Sequence, residues 1–390
     1  MKGKTESQLY LLTLEIDPMN NSPLRKCTIA FALIFLSSCI ERFEFNSESE
    51  PPVVIVEGFI SDISSDDYLD LFGEPRLFFV KLKYAGAVKN FIDETISGAE
   101  VQLISDQNEH WDYTEDANEP GTYYLYYSSF RSEPNIKYKV NVKLENGEEY
   151  ESDFDQMPSQ DVRGEININE TSKLQKVVVS QEHVIRSFVG EDVNIQMPAS
   201  SEDSFRYFRW DFHTTWMVVA ELASRSGPFG VCWMSETYNL DENVIVRKKG
   251  LPSNINLFFV RTTRNPETKF GFAVVIKQQE MSEEYYQFWT DLHNQESQAE
   301  LFAPPPYNIH TNINAIGHER GTYGYFGVVN EEYYIWHLDK KALSYVPYYF
   351  DQCHVEPPLS PAEWCRNCLG YDGINKGAEI TNIKPDWWTF

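Results

Sequence analysis

Six cysteines are distributed along a chain of 390 residues, and the surroundings of five of them define different chemistries. Cys365-Arg-Asn-Cys368 has the spacing of a zinc knuckle or of a thiol redox pair. A structural zinc site asks for a second such pair or for close histidines, and only His354 stands nearby. A thioredoxin-like pair asks for a βαβ setting, which the flanking sequence lacks. Together with Cys232 and Cys353 these thiols make an even set of four, which in an exported chain reads as structural disulfides. Four thiols allow three connectivities. The expectation is that Cys353, Cys365 and Cys368 are oxidised, with Cys232 joined to one of them, and that the Pro- and Gly-rich segment from Tyr349 to Phe390 is pinned in this way.

Cys39 belongs to another chemistry. Ahead of it run Arg25 and Lys26, an apolar segment from Cys27 to Leu36, and the small residues Ser37 and Ser38. The order basic, apolar, small is that of an export signal, and ten apolar residues fall well short of the roughly twenty a spanning helix needs. A cysteine directly after "LSS" resembles the bacterial lipoprotein signal, which predicts acylation of Cys39 and contact with outer-membrane lipid. Residues 1–38 then form the signal region, with Met19 the expected start. Residues 39–52, "CIERFEFNSESEPP", carry four glutamates and no apolar period and read as a tether.

Other groups that could do chemistry are sparse. The sequence has no Gly-x-Ser-x-Gly elbow, no phosphate-cradling Gly-Lys-Ser/Thr loop and no His-Glu-x-x-His helix. His310, His318 and His337 show no ligand spacing and are expected as hydrogen-bonded strand residues; no metal site and no cofactor is assigned. Asp62, Asp66, Asp67 and Asp70 in "SDISSDDYLD" offer hard oxygens suited to calcium, but their spacing departs from an EF-hand loop, so a solvated acidic loop is expected. The 59 acidic residues leave a two-carboxylate glycosidase neither supported nor excluded. A formal charge of −26 with no basic stripe argues against nucleic acid as a partner.

The elements that must position these groups are mostly β. "VVIVEGFI" (53–60), "RLFFVKLKY" (76–84), "AEVQLIS" (99–105) and "TYYLYYS" (122–128) are short, β-branched or aromatic, and bounded by Gly, Pro or Asp. "YKVNVKLENGEEYESDF" alternates on both sides of Asn146-Gly147, which predicts a hairpin with a type I′ turn. An immunoglobulin-like or transthyretin-like β-sandwich is therefore expected over 53–157. A polar boundary follows, from Met157-Pro158 to about Lys173, opening a larger β-rich domain over 158–390. Only one segment reads as a helix, from Ser282, with Tyr285, Phe288, Trp289 and Leu292 at i, i+3, i+4 and i+7, Ser282 as its cap, and Glu283 and Glu284 in the first turn.

The succession "INLFFV", "VVIKQQEMSEEYYQFWTDLHNQESQAELFAPPPYNIHTNINA", "GYFGV" and "CRNCLGYDGINKGAEITNIKPDWW", with "PPVVIVEGFISD" after the lipobox, resembles a Bacteroidota lipoprotein family catalogued as domain of unknown function 4249. Members often lie beside TonB-dependent transporters resembling the SusC type. The resemblance implies a non-catalytic accessory or partner-binding subunit of such a transporter or of an outer-membrane assembly complex, and the acidic residues just after Cys39, which resemble the Bacteroidota signal for the outer face of the outer membrane, imply the extracellular side. It carries over no catalytic residues. The chain departs from the family in the insertion "SSDDYLDLFGEP" and in the long spacer between Cys368 and Pro385. The loop Ser61–Pro75 is accordingly the expected contact surface, with Asp66, Asp67, Tyr68, Leu69 and Phe72 as candidates. The alternative is a secreted, lipid-anchored hydrolase acting on glycans or peptides.

Overall fold

The structure, a computed structural model, describes residues 53–389 apart from 86–93, 159–162, 180–181, 200–204, 237–239, 241–242, 298–308, 352, 355, 357–359 and 372–377. The signal region, the tether and Cys39 lie outside the described residues.

Alternation of side chains decides the first layer. In β7 (Lys137–Lys143) Tyr138, Val140 and Val142 are buried while the lysines between and beyond them point out. β7 pairs with β4 (Glu100–Ser105) on one edge and β8 (Glu149–Ser152) on the other. The turn between β7 and β8 differs from the expected type I′. Gly147 has φ 85°, but Asn146 is not in the left-handed region; its carboxamide oxygen instead accepts the Glu148 N–H at 3.0 Å. The result is a longer loop closed by Gly147 N–H to Leu144 C=O at 2.9 Å. β1 (Val54–Ser61), β2 (Phe79–Tyr84), β3 (Glu94–Thr95), β5 (His110–Glu115), β6 (Thr122–Tyr124) and β9 (Asp155–Gln156) complete this part of the chain. Their inward residues, Val56, Val80, Leu103, Tyr123 and Val140 among them, form one apolar core.

The second part supplies β10 (Glu165–Val179), β11 (Glu182–Met197), β12 (Arg206–Val219), β13 (Val231–Glu236), β14 (Val244–Lys248), β15 (Ser253–Arg261), β16 (Phe272–Met281), β17 (Ile313–Ile316), β18 (Thr322–His337) and β19 (Glu379–Thr381). The polar stretch expected as a boundary is largely β10, the outer strand of a three-stranded sheet ordered β10-β11-β15. That sheet lays Val193, Ile195, Phe258 and Val260 against Phe208, Trp210, Val274 and Trp336 to form a second core.

The boundary at Met157 does not separate two independent folds. β18 pairs in parallel with β1 over eight residues, Val54 opposite Thr322 through Ser61 opposite Val329, and antiparallel with β16. β17 pairs with β8, and Ile313, Phe326 and Val328 belong to the first core. One continuous mixed sheet therefore runs through both parts.

Two α-helices are present among the described residues, one more than expected. α1 (Ser65–Phe72) lies in the supposed acidic loop. Its signals are local: the Ser64 hydroxyl accepts the Asp67 N–H, the Asp67 carboxylate accepts the Ser64 N–H, and Gly73 ends the helix in the left-handed region. α2 (Glu283–Ser297) starts where expected, with the Ser282 hydroxyl accepting the Tyr285 N–H at 3.3 Å. Tyr285 and Phe288 are buried and Trp289 and Leu292 half-buried against Tyr207, Met281, Tyr325 and Val329, so the aromatic stripe is core. Among the described residues no helix is long and apolar enough to cross a membrane.

Candidate partner-binding site

The face of the sheet opposite the second core carries polar side chains in cross-strand rows. Arg209, Gln279 and Glu331 are register neighbours on β12, β16 and β18; Asp211, Lys277 and Tyr333 form the next row, and His213, Val275 and Ile335 the third. The first two rows are tied by charge. Arg209 and Lys277 hold the two oxygens of Asp211 at 2.7 and 3.0 Å, and the Arg209 guanidinium lies 3.6 Å above the Trp289 ring of α2. Glu331, whose side chain is fully buried, accepts from Gln279 Nε2 at 3.0 Å and from the Ser61 hydroxyl at 2.7 Å, and pairs with Arg76 at 2.7 Å.

Arg76 ties this network to α1. It donates to the Tyr333 hydroxyl at 2.6 Å and stacks on Tyr68 at 4.9 Å. Tyr68 and Phe72 in turn meet the Tyr333 ring edge-on at 5.7 and 5.2 Å. Burial alone would raise the Glu331 pKa; Arg76 first and Lys277 second outweigh it and hold the carboxyl below its ordinary range. Asp211 follows the same logic, with burial opposed by Lys277 and Arg209. Both therefore stay ionised at neutral pH. A buried pair of this kind is weak evidence of net stability, but it fixes where α1 sits, because a misplaced helix would strand a buried charge.

The expected contact residues divide into two groups. Tyr68 and Phe72 face inward as anchors, and Asp67 is spent on the cap. Asp66 accepts from the Ser128 hydroxyl at 3.2 Å. Leu69 is 42 % exposed, as is Leu71 at 48 %, a residue the sequence reading missed. Of the aspartates weighed for calcium, Asp62 accepts from Asn330 Nδ2 at 2.7 Å and from the Glu331 N–H at 2.8 Å.

Beside α1 lies a groove of about 470 Å³. Its floor includes His213 and Val275, one wall is Tyr68, Phe72 and Glu74, and the other is the C-terminal segment Lys384–Trp387. Burial lowers the His213 pKa, an effect only partly offset by Glu379 and Glu74, so its imidazole is neutral at physiological pH. Ser235 also borders the groove, but its hydroxyl is shared with Thr215 at 2.8 Å, and no hydrogen bond joins it to His213. His310, His318 and His337 stay apart, each beside its own aromatic ring.

The tail that forms the outer wall is held covalently. Cys232 on β13 is bonded to Cys368, and Cys353 to Cys365, so the two thiols of the Cys-x-x-Cys stretch take different partners. All four cysteines are buried. Gly73, at φ 79°, closes the contact between helix and tail: a Cβ there would lie 2.2 Å from the Asp386 carboxylate.

A mixed β-sheet protein with a charge-locked surface helix over a disulfide-pinned tail is thus the class defined by fold and site. Residues 40–335 match the family model described as a domain of unknown function, DUF4249, and the chain belongs to that family. No curated protein and no solved structure matches it.

Proposed function

We propose that this protein is a non-catalytic lipoprotein of the outer membrane, anchored through acylated Cys39 and displayed on the extracellular side, where it serves as a partner-binding accessory subunit of a TonB-dependent transporter or another outer-membrane barrel. The observation that carries the reading is the pair Leu69 and Leu71, half-exposed on the two flanks of a helix whose inward face is locked by Tyr68, Phe72, Arg76 and Tyr333. A rigid helix offering apolar side chains beside a groove costs little ordering entropy when a partner covers it.

The test is affinity purification from outer membranes of cells expressing the full chain. Wild type is expected to retain a barrel protein, and Leu69→Asp with Leu71→Asp to lose it while keeping the same melting temperature. Removing all of α1 is a poorer test, since Phe72 and Tyr68 pack on the network beneath. Mass spectrometry of the mature N-terminus should find acyl chains on Cys39. Co-purification with no barrel, together with hydrolysis of a glycan or peptide that one carboxylate or Ser235→Ala substitution abolishes, would overturn the reading in favour of an enzyme.

A further inference from the structure

His354, the one histidine near the Cys-x-x-Cys stretch, loses the cysteines as co-ligands because all four are oxidised. Its imidazole meets carboxylates instead. His354 Nδ1 lies 3.2 Å from Asp351 Oδ2, and Glu221, which follows β12, brings a third donor so that one atom from each residue falls within 4.8 Å of the others. We propose that Glu221, Asp351 and His354 form a binding site for one divalent transition-metal ion, with zinc the ion these donors fit best.

The chemistry and the geometry agree. One imidazole nitrogen with two carboxylate oxygens is a borderline donor set that suits zinc, whereas calcium and magnesium prefer oxygen alone. Donors about 2.0–2.1 Å from a tetrahedral zinc stand roughly 3.3 Å from each other, and the His354–Asp351 separation already meets this. Glu221, within 4.8 Å of the other two donors, has to close by at most about 1.5 Å, a side-chain adjustment. It now pairs with the Lys269 ammonium, so the protein's own cation occupies the carboxylate that a metal would claim.

The surroundings orient these ligands as second partners orient known metal ligands. Asp351 Oδ1 accepts the N–H groups of Cys353 at 3.0 Å and His354 at 2.9 Å, which holds the carboxylate beside the imidazole, with Oδ2 3.2 Å and Oδ1 3.4 Å from Nδ1. Three constraints converge on the site. The Cys353–Cys365 disulfide begins one residue from His354, the Leu222 N–H donates to the Cys365 carbonyl at 2.8 Å, and Leu222 adjoins Glu221. Three protein ligands leave a fourth position for water or for a donor from outside. The site joins the C-terminal segment to the end of β12, away from α1, and stands independently of the function proposed above.

The experiment is isothermal titration of the oxidised full chain with zinc chloride alone, in 0.15 M NaCl with millimolar magnesium to occupy ordinary surface carboxylates. The expected result is one zinc per chain, weakened at least tenfold by His354→Ala and by Asp351→Asn, and tightened by Lys269→Met. Cobalt substitution should give a visible absorption band that the His354→Ala protein lacks. Asp351 and His354 are more than half exposed in their side chains, so both variants should keep the metal-free melting temperature of wild type. Absence of a stoichiometric zinc site, or zinc binding equal in wild type and His354→Ala, would overturn the proposal.

Discussion

Replacing Arg76 by Met tests whether the charge network beneath α1 is as buried as its geometry states. The substitution keeps most of the apolar stem but removes the cation 2.7 Å from Glu331, whose side chain has no exposure to solvent. Ser61 and Gln279 still donate to the carboxylate, yet its charge loses its nearest counterion. Breaking a buried pair from one side costs about 3–5 kcal/mol, and in a chain of this size that lowers the melting temperature by roughly 4–7 °C. The pH dependence should change sign. In wild type the Glu331 pKa is depressed, so its contribution is present above the ordinary carboxylate range and is lost as pH falls through the lowered value. In Arg76→Met burial is opposed only weakly, the pKa rises, and the variant regains stability on acidification. Urea unfolding of the mature domain at pH 7.5 and pH 5 should therefore show the deficit shrinking at the lower pH, and Arg76→Met/Glu331→Met should be more stable than Arg76→Met alone. A deficit below about 1 kcal/mol, or one that does not change with pH, would refute the reasoning.

Three further outcomes follow from single positions. Gly73→Ala places a Cβ against Asp386 at positive φ; it should cost at least about 1–2 kcal/mol in thermal unfolding and make the segment near Asp386 more sensitive to protease. Cys232→Ser/Cys368→Ser should lower stability by about 2–5 kcal/mol under oxidising conditions, whereas the same pair compared under reducing conditions should differ little. Glu191 faces Glu170 directly across β10 and β11, and burial, then Glu170 and Asp339, push its pKa up to about 7. The folded chain thus holds more protons than the unfolded one between its ordinary value and about 7, so stability falls as pH rises through that window. Glu191→Gln should remove this slope and stabilise at pH 8 by up to about 3 kcal/mol in urea titrations.

What the sequence made legible was local. α2 announced itself through a serine cap and a stripe at helical spacing, and β7 with β8 through strict alternation about a glycine. α1 was legible too, in Ser64-x-x-Asp67 and in Gly73, but three of its eight residues are acidic and they carry no long apolar period, so the caps were outweighed by composition. β10 escaped for another reason: it is an edge strand whose apolar alternation is confined to Ile166 and Ile168 before a polar run from Asn169 to Lys173, so its middle reads as a linker. The turn at Asn146-Gly147 took a longer loop than its dipeptide suggests because only the glycine adopts positive φ. Nothing local identified Arg76, Glu331 or Tyr333. Arg76 and Tyr333 are 257 residues apart, and they meet only because β18 returns beside β1, a long-range register that one sequence does not encode in any window.

That return of β18 has a consequence for what the groove can be. α1 follows directly from β1, and Glu331 and Tyr333 lie on β18, so the wall formed by the helix is set by a parallel pairing between strands at opposite ends of the matched region, residues 40–335. A piece of the chain lacking β18 would leave β1 an open edge, strip Phe326 and Val328 from the first core and remove Glu331 and Tyr333 from beneath the helix. The other wall, Lys384–Trp387, lies beyond residue 335 and rests on the Cys232–Cys368 bond, the short β13–β19 pairing and the Gly73–Asp386 contact. Helix and floor are therefore placed by the architecture the family model spans, and the facing wall by covalent attachment of a tail outside it. A partner seated against Leu69 and Leu71 meets the first; one that reaches into the groove must also read the second.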